Sequence, residues 1–165
     1  IGIRRRMRHH AALFDMDGTL VDSERVILNA WMESSRELGV PLDHGQYAQV
    51  IGLNEEESNL LLMDLLGGKS IFFQVRALAE SKLRASDGKV VFPLKTGVLA
   101  LLSALSQRQV PCAVASSSTS AEIHDRLTRN GVWHYFGAAA GGNEVHRGKP
   151  DPAVYLLAAS RLGVD

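Results

Sequence analysis

The sequence predicts an α/β protein built on a doubly wound parallel sheet, with an all-α segment inserted after the first strand. Three observations lead to this prediction. After residue 94, short apolar runs alternate with helical patterns and short connections, which is typical of consecutive βαβ units. Residues 23–94 show helical periods and none of the alternation that strands require. Polar residues follow directly after the apolar runs, where the strands of such a sheet would end.

The first half of the chain predicts one strand and a series of helices. Residues 11–14 form a short apolar run that suits a buried strand. Asp22 or Ser23 can cap a helix that continues to about Leu38, and Gly39 then ends it. Further helices are predicted over residues 46–50, 54–66 and 71–86.

The second half of the chain predicts two more strands, each followed by a helix. The predicted elements are an extended return segment over 90–94, a helix over 96–107, a strand over 110–115, a helix over 120–130, a short strand over 138–140 and a last helix over 153–162. The second strand is strongly apolar, as expected where both faces of a parallel sheet are covered. This order indicates a Rossmann-like sheet.

Composition argues against several classes of protein. Lys plus Arg and Asp plus Glu number 18 each, so the zero net charge gives no general attraction to nucleic acid or to an anionic membrane. The single cysteine, Cys112, excludes an internal disulfide and fits a reducing cytosol. No apolar run approaches the roughly 20 residues of a membrane span. Residues 1–10 are basic and lack the apolar segment of a secretory signal, which indicates a leader or a tag remnant. We expect a cytoplasmic protein of undetermined oligomeric state.

Two carboxylates, Asp15 and Asp17, follow the first predicted strand and are followed by Gly18 and Thr19. The carboxyl end of a strand is where open α/β sheets bind their ligands. Two like charges so close repel each other, and a divalent metal ion or a role in phosphate transfer would resolve that cost. A turn of solvated acids and a calcium loop are the alternatives. A calcium loop needs Glu at its twelfth position, and the twelfth residue counted from Asp15 is Val26.

Two further polar groups are predicted at the same edge of the sheet. Ser116 and Ser117 follow the second strand, and Lys149 precedes the last helix. Taken alone, each is more often a loop, a helix cap or a surface lysine. Together with Asp15 and Asp17 they supply what phosphoryl transfer needs: a nucleophile, a proton donor and acceptor, an anion pocket at a helix start, and a compensating positive charge. The combination favours phosphate chemistry.

Three segments carry a resemblance to a known family. Residues 14–22, 114–117 and 148–152 resemble the first, second and third motifs of the haloacid dehalogenase-like superfamily of phosphatases and phosphomutases. The helical segment resembles the cap of its β-phosphoglucomutase-like and sugar-phosphatase branch. The resemblance covers almost everything after residue 10. It implies that the catalytic core is discontinuous and consists of residues 11–22 and 95–165. Residues 23–94 would form a helical cap.

The resemblance also implies a role for each site residue. Asp15 would be the nucleophile that forms an aspartyl phosphate, and it would bind Mg²⁺. Asp17 would act as acid and base and would lend its backbone carbonyl to the metal, while Lys149 would neutralise charge. The phosphate-binding residues implied are Gly18, Thr19, Ser116 and Ser117. An aspartate at position 17 favours a phosphatase or a mutase over a dehalogenase, because a leaving halide needs no proton.

The expected function is therefore Mg²⁺-dependent hydrolysis of a small phosphomonoester, such as a sugar phosphate. An intramolecular phosphomutase is the enzymatic alternative. The family also carries a fourth motif, an acidic pair on a strand beyond the lysine motif, whereas the only acids after Lys149 are Asp151 and Asp165. We expect a fragment or a shortened form whose core is incomplete at its C-terminus, with poor Mg²⁺ binding and little activity alone. A non-catalytic binding or interaction module is the alternative from another class.

Overall fold

A computed structural model describes residues 11–51, 53, 55–84, 87, 88 and 90–164. They form two compact units, one made of residues up to Asp22 and from Phe92 onward, the other of Ser23–Val91. The proposed leader 1–10 lies outside the described residues. So do residues 54, 85 and 86, which belong to two of the predicted helices.

The first unit is organised around a parallel sheet. Its strands are β1 (Ala12–Phe14), β2 (Cys112–Ala115) and β3 (Ala138–Ala140), in the order β1-β2-β3. Ala113 of β2 lies opposite Leu13 on one side and opposite Ala138 on the other. Every residue of β2 is buried, because this central strand has neighbours on both sides and helices on its faces. The predicted α/β class is confirmed.

The described residues contain seven α-helices. In chain order they are α1 (Ser23–Glu37), α2 (His44–Ala48), α3 (Glu55–Leu65), α4 (Lys69–Leu83), α5 (Val98–Gln107), α6 (Ser120–Arg129) and α7 (Ala153–Leu162). Short 3₁₀ turns cover Trp133–Tyr135 and Gly142–Glu144. None of the helices in the described part of the chain is long and apolar enough to cross a membrane.

Helices α6 and α7 cover the sheet and bring their first turns to its carboxyl edge. Val154 and Ala158 of α7 pack in a buried cluster with the alanines of β2 and β3. On α6, Ile123 and Leu127 are fully buried. The helix begins with a capping box in which the Thr119 side chain and Glu122 bond each other's backbone N–H groups. The cap is thus Thr119, one residue before the predicted start.

The second unit is helical. Helix α1 lies against α4, and the core consists of Leu42, Val50, Leu62, Leu66, Phe72 and Val75. The Trp31 ring contacts the rings of Tyr47 and Phe72 at the edge of this core. Within the described residues of this unit, β pairing is limited to the isolated bridge between Arg84 and Val90. This agrees with the all-α segment predicted after the first strand.

Candidate active site

The site begins where β1 ends, in a tight turn that exposes two acids. Gly18 has φ 70°, in the left-handed region that favours glycine, and its N–H donates to the Val21 carbonyl at 3.0 Å. The Met16 side chain is fully buried. Its neighbours Asp15 and Asp17 keep 38% of their side-chain surface exposed. Burial of Met16 therefore fixes the turn while both carboxylates remain accessible.

Asp15 is held through one oxygen. Lys149 Nζ donates to Asp15 Oδ1 at 2.6 Å, and the Met16 N–H donates to the same oxygen at 2.9 Å. The Lys149 ammonium also lies 4.8 Å from the centre of the Tyr155 ring. Burial lowers the pKa of Lys149, but its interactions with Asp15 and Tyr155 outweigh that effect, so the pKa lies above its ordinary value. The lysine therefore stays cationic beside Asp15.

Asp17 is held through both oxygens. Arg126 donates to Asp17 Oδ1 at 2.9 Å, and the Ser118 hydroxyl donates to Oδ2 at 2.8 Å. The two acids thus have separate cations, which relieves the repulsion expected from the sequence. Neither Ser118 nor Arg126 is predicted as a site residue. Ser118 lies in the serine cluster after β2, but Glu122 and Arg126 look like an ordinary surface pair four residues apart on a helix.

The serine cluster joins the end of β2 to this network. Ser116 is 1% exposed, and its N–H donates to the Ala140 carbonyl at the end of β3. Its hydroxyl oxygen accepts a hydrogen bond from the Ser118 N–H at 3.0 Å. Ser116 is thereby linked through Ser118 to Asp17. Ser117 and Thr19, both predicted to hold phosphate, are exposed on their loops.

A second lysine lies at the turn and is absent from the predicted site. Lys95 Nζ donates to the Gly18 carbonyl at 2.8 Å, and the Lys95 N–H donates to the Leu20 carbonyl. Lys95 follows the return segment, in which the Pro93 carbonyl accepts from the Asp22 N–H. No sequence motif marks Lys95. Its position depends on the pairing of this segment with the turn.

Two glycines let the loop after β3 pack against the serine cluster. A Cβ atom on Gly141 would lie 2.4 Å from the Ser120 nitrogen, and one on Gly142 would lie 2.4 Å from the Ser117 oxygen. The Gly142 N–H donates to the Ser118 carbonyl at 2.9 Å. Only glycine fits so close to backbone atoms, so this pair fixes the start of α6.

Replacing Gly142 with alanine is expected to destabilise the protein by about 1–3 kcal/mol, because the added methyl must push the serine loop away. Urea unfolding followed by circular dichroism measures this. Gly148→Ala is the matched control, since its Cβ would meet nothing within 4 Å. Equal unfolding midpoints for the two variants would contradict the close packing at Gly142.

The oxygen atoms at the turn suit Mg²⁺ better than a softer metal. The described part of the chain contains no group of three or more His, Cys, Asp or Glu side chains that could hold a metal ion. Mg²⁺ commonly uses one or two carboxylates, keeps several waters and takes the remaining oxygens from a phosphate. Asp15 Oδ2 and the Asp17 backbone carbonyl fit that pattern. The Asp17 carboxylate does not, because both of its oxygens are engaged by Ser118 and Arg126.

Comparison with known proteins identifies the family of this chain. The model of the haloacid dehalogenase-like hydrolase family matches residues 12–165. A phosphorylated carbohydrates phosphatase of Thermotoga maritima is 31% identical over 156 residues, which are 93% of this chain and 71% of that protein. A fructose-1-phosphate phosphatase of Escherichia coli is 29% identical over 157 residues, covering 95% of this chain and 82% of the relative.

Solved structures share the fold of this chain. A structure from Thermotoga maritima, proposed to be a beta-phosphoglucomutase, aligns with a TM-score of 0.74 at 28% identity and covers 95% of this chain and 72% of that one. A hydrolase from Streptococcus pneumoniae, at 18% identity and a TM-score of 0.72, shares the fold. Since the family model extends over residues 12–165, this chain belongs to the haloacid dehalogenase-like hydrolases, as its three motifs predicted.

Proposed function

We propose that the protein is a Mg²⁺-dependent phosphatase that hydrolyses a small phosphorylated carbohydrate through an aspartyl phosphate on Asp15. The observation that carries the proposal is the fixation of Asp15 through Oδ1 by Lys149 and the Met16 N–H. This arrangement leaves Oδ2 as the attacking atom. The phosphatases among the relatives support the substrate class.

In the proposed first step, Asp15 Oδ2 attacks phosphorus while the bond from phosphorus to the sugar oxygen breaks. Asp17 gives a proton to that leaving oxygen. In the second step a water oxygen attacks phosphorus, its proton passes to Asp17, and the bond to Asp15 breaks to release inorganic phosphate. Asp15 and the Asp17 backbone carbonyl would hold Mg²⁺, which would supply positive charge against the charge that develops on the phosphate oxygens.

The residues around the turn would bind the phosphate group. The Ser117 backbone N–H, with the hydroxyls of Ser116 and Thr19, would donate to the phosphate, because the N–H groups of Thr119 and Ser120 already bond Glu122 and Asn143. Lys149 would offset the charge of both Asp15 and the phosphate. The helical unit of residues 23–91, three residues shorter than the cap expected from the sequence, is proposed to serve as the cap domain, which excludes water during the reaction. We place the enzyme in the cytosol.

A phosphomutase is the second candidate, favoured by the structural likeness to the proposed beta-phosphoglucomutase. In that case a sugar hydroxyl replaces water in the second step and no inorganic phosphate is released.

Product analysis tests the proposal. The protein, purified from its complete reading frame, is given hexose phosphates or p-nitrophenyl phosphate, with Mg²⁺ or with EDTA. We expect stoichiometric release of inorganic phosphate that EDTA abolishes. An isomeric sugar phosphate without phosphate release would establish the mutase. Absence of turnover for every substrate would instead support a non-catalytic binding module.

A further inference from the structure

The two contacts on the Asp17 carboxylate form what we call the Asp17 clamp, made of Arg126 and Ser118. Arg126 binds Oδ1 at 2.9 Å and Ser118 binds Oδ2 at 2.8 Å. Arg126 also donates to the Ser118 hydroxyl oxygen at 3.3 Å, which joins the two arms of the clamp. A carboxylate with donors on both oxygens cannot rotate without breaking one of these bonds. The clamp therefore defines one orientation for Asp17.

The Arg126 guanidinium is itself held in place. The second terminal nitrogen, Nη2, donates to Glu122 Oε1 at 3.3 Å. The guanidinium carbon, Cζ, lies 5.1 Å from the centre of the buried Phe92 ring. Only 14% of the Arg126 side chain is exposed. Burial of a cation is unfavourable unless such partners compensate it. Arg126 is therefore built into the site and is not a mobile surface side chain.

Glu122 is fixed in turn by the start of the helix. Its carboxylate accepts from both the backbone N–H and the hydroxyl of Thr119, at 2.9 and 2.8 Å. These bonds, followed by the charge of Arg126, hold the pKa of Glu122 below its ordinary value. A continuous chain of contacts thus runs from the cap of α6 through Glu122 and Arg126 to Asp17.

We propose that Arg126 is a positioning residue for the second step of the reaction. It orients the Asp17 carboxylate to take the proton from the water that hydrolyses the aspartyl phosphate. In that step the water oxygen bonds to phosphorus, the bond from phosphorus to Asp15 breaks, and the proton goes to Asp17. Each Asp17 carboxylate oxygen accepts one hydrogen bond and keeps a second lone pair that can receive the proton. This inference rests on the proposed function.

Loss of Arg126 should slow the second step and spare the first when the leaving group needs no proton. p-Nitrophenolate is such a leaving group. In Arg126→Met we expect a rapid burst of about one p-nitrophenol per enzyme, followed by steady turnover slowed about 10- to 100-fold. Because hydrolysis becomes limiting, kcat and KM should fall together and kcat/KM should change little. Acid-quenched samples should contain more phosphorylated protein than wild type.

Three further variants separate positioning from general damage to the fold. Arg129→Met removes an arginine from the same helix, where Arg129 pairs with Asp125, and should behave as wild type. Arg126→Lys should restore part of the steady rate. In an Asp17→Asn background, Arg126→Met should have no further effect, because the carboxylate that it orients is gone.

The outcomes distinguish this inference from the function on which it rests. A steady rate for Arg126→Met equal to wild type, or an equal fall of kcat and kcat/KM without a burst, would overturn the positioning role alone. Turnover that persists in Asp15→Asn, or no turnover in wild type, would overturn the proposed function and this inference with it.

Discussion

Asp15→Asn is expected to lower phosphatase activity by about 10⁴-fold or more. The amide cannot form the aspartyl phosphate, and catalysis by the remaining groups would be residual. The variant should also show no burst with p-nitrophenyl phosphate and no phosphorylated protein after acid quench. Steady-state release of inorganic phosphate at saturating substrate and Mg²⁺ measures the loss.

The fold should survive this change. Asparagine has nearly the same shape, although it leaves the Lys149 ammonium without its anion, and we expect stability to fall by roughly 1–2 kcal/mol. Thermal unfolding followed by circular dichroism checks it. Asp64→Asn, at an exposed position of α3, is the control and should keep wild-type activity. Activity of Asp15→Asn within 100-fold of wild type would rule out Asp15 as the nucleophile.

Local signals explain which elements of the fold were predictable. Helix α7 has the predicted limits, because Pro152 precedes it and Gly163, with φ 74°, ends it in the left-handed region. Strand β2 begins at Cys112, two residues later than predicted. Pro111 has no N–H for the ladder, and its carbonyl instead accepts from the Ala12 N–H. The apolar pattern of the sequence locates a strand, but the hydrogen bonds to the neighbouring strand decide where it begins and ends.

The site was predictable only in part, for a related reason. Asp15 and Lys149 are 134 residues apart, yet both follow from the rule that parallel strands bring their carboxyl ends to one edge. Arg126 lies on the second turn of α6, and nothing in the local pattern indicates that it turns toward Asp17. That direction depends on packing against Phe92, a residue from a distant part of the chain. Tertiary contacts of this kind leave no sequence signal.

Lys149→Met is expected to lower kcat/KM by about 10²- to 10³-fold, the usual effect of losing one group that stabilises the charge of a transition state. Without Lys149, Asp15 Oδ1 keeps only the Met16 N–H, so both the charge and the orientation of the nucleophile are lost. This pattern differs from Arg126→Met, since the first step itself becomes slow. We therefore expect no burst of p-nitrophenol.

Lys82→Met is a matched control for the removal of a lysine ion pair. Lys82 binds Glu37 Oε1 at 2.6 Å, the same distance as between Lys149 and Asp15, but both residues belong to the helical unit. The control should keep wild-type kcat/KM. Because the pKa of Lys149 is raised above 10.5, wild type should show no loss of activity from this lysine between pH 6 and 9. If Lys82→Met and Lys149→Met lowered kcat/KM equally, the effect would reflect lost ion pairing in general. A selective effect at Lys149 would assign its charge to the step in which Asp15 attacks phosphorus.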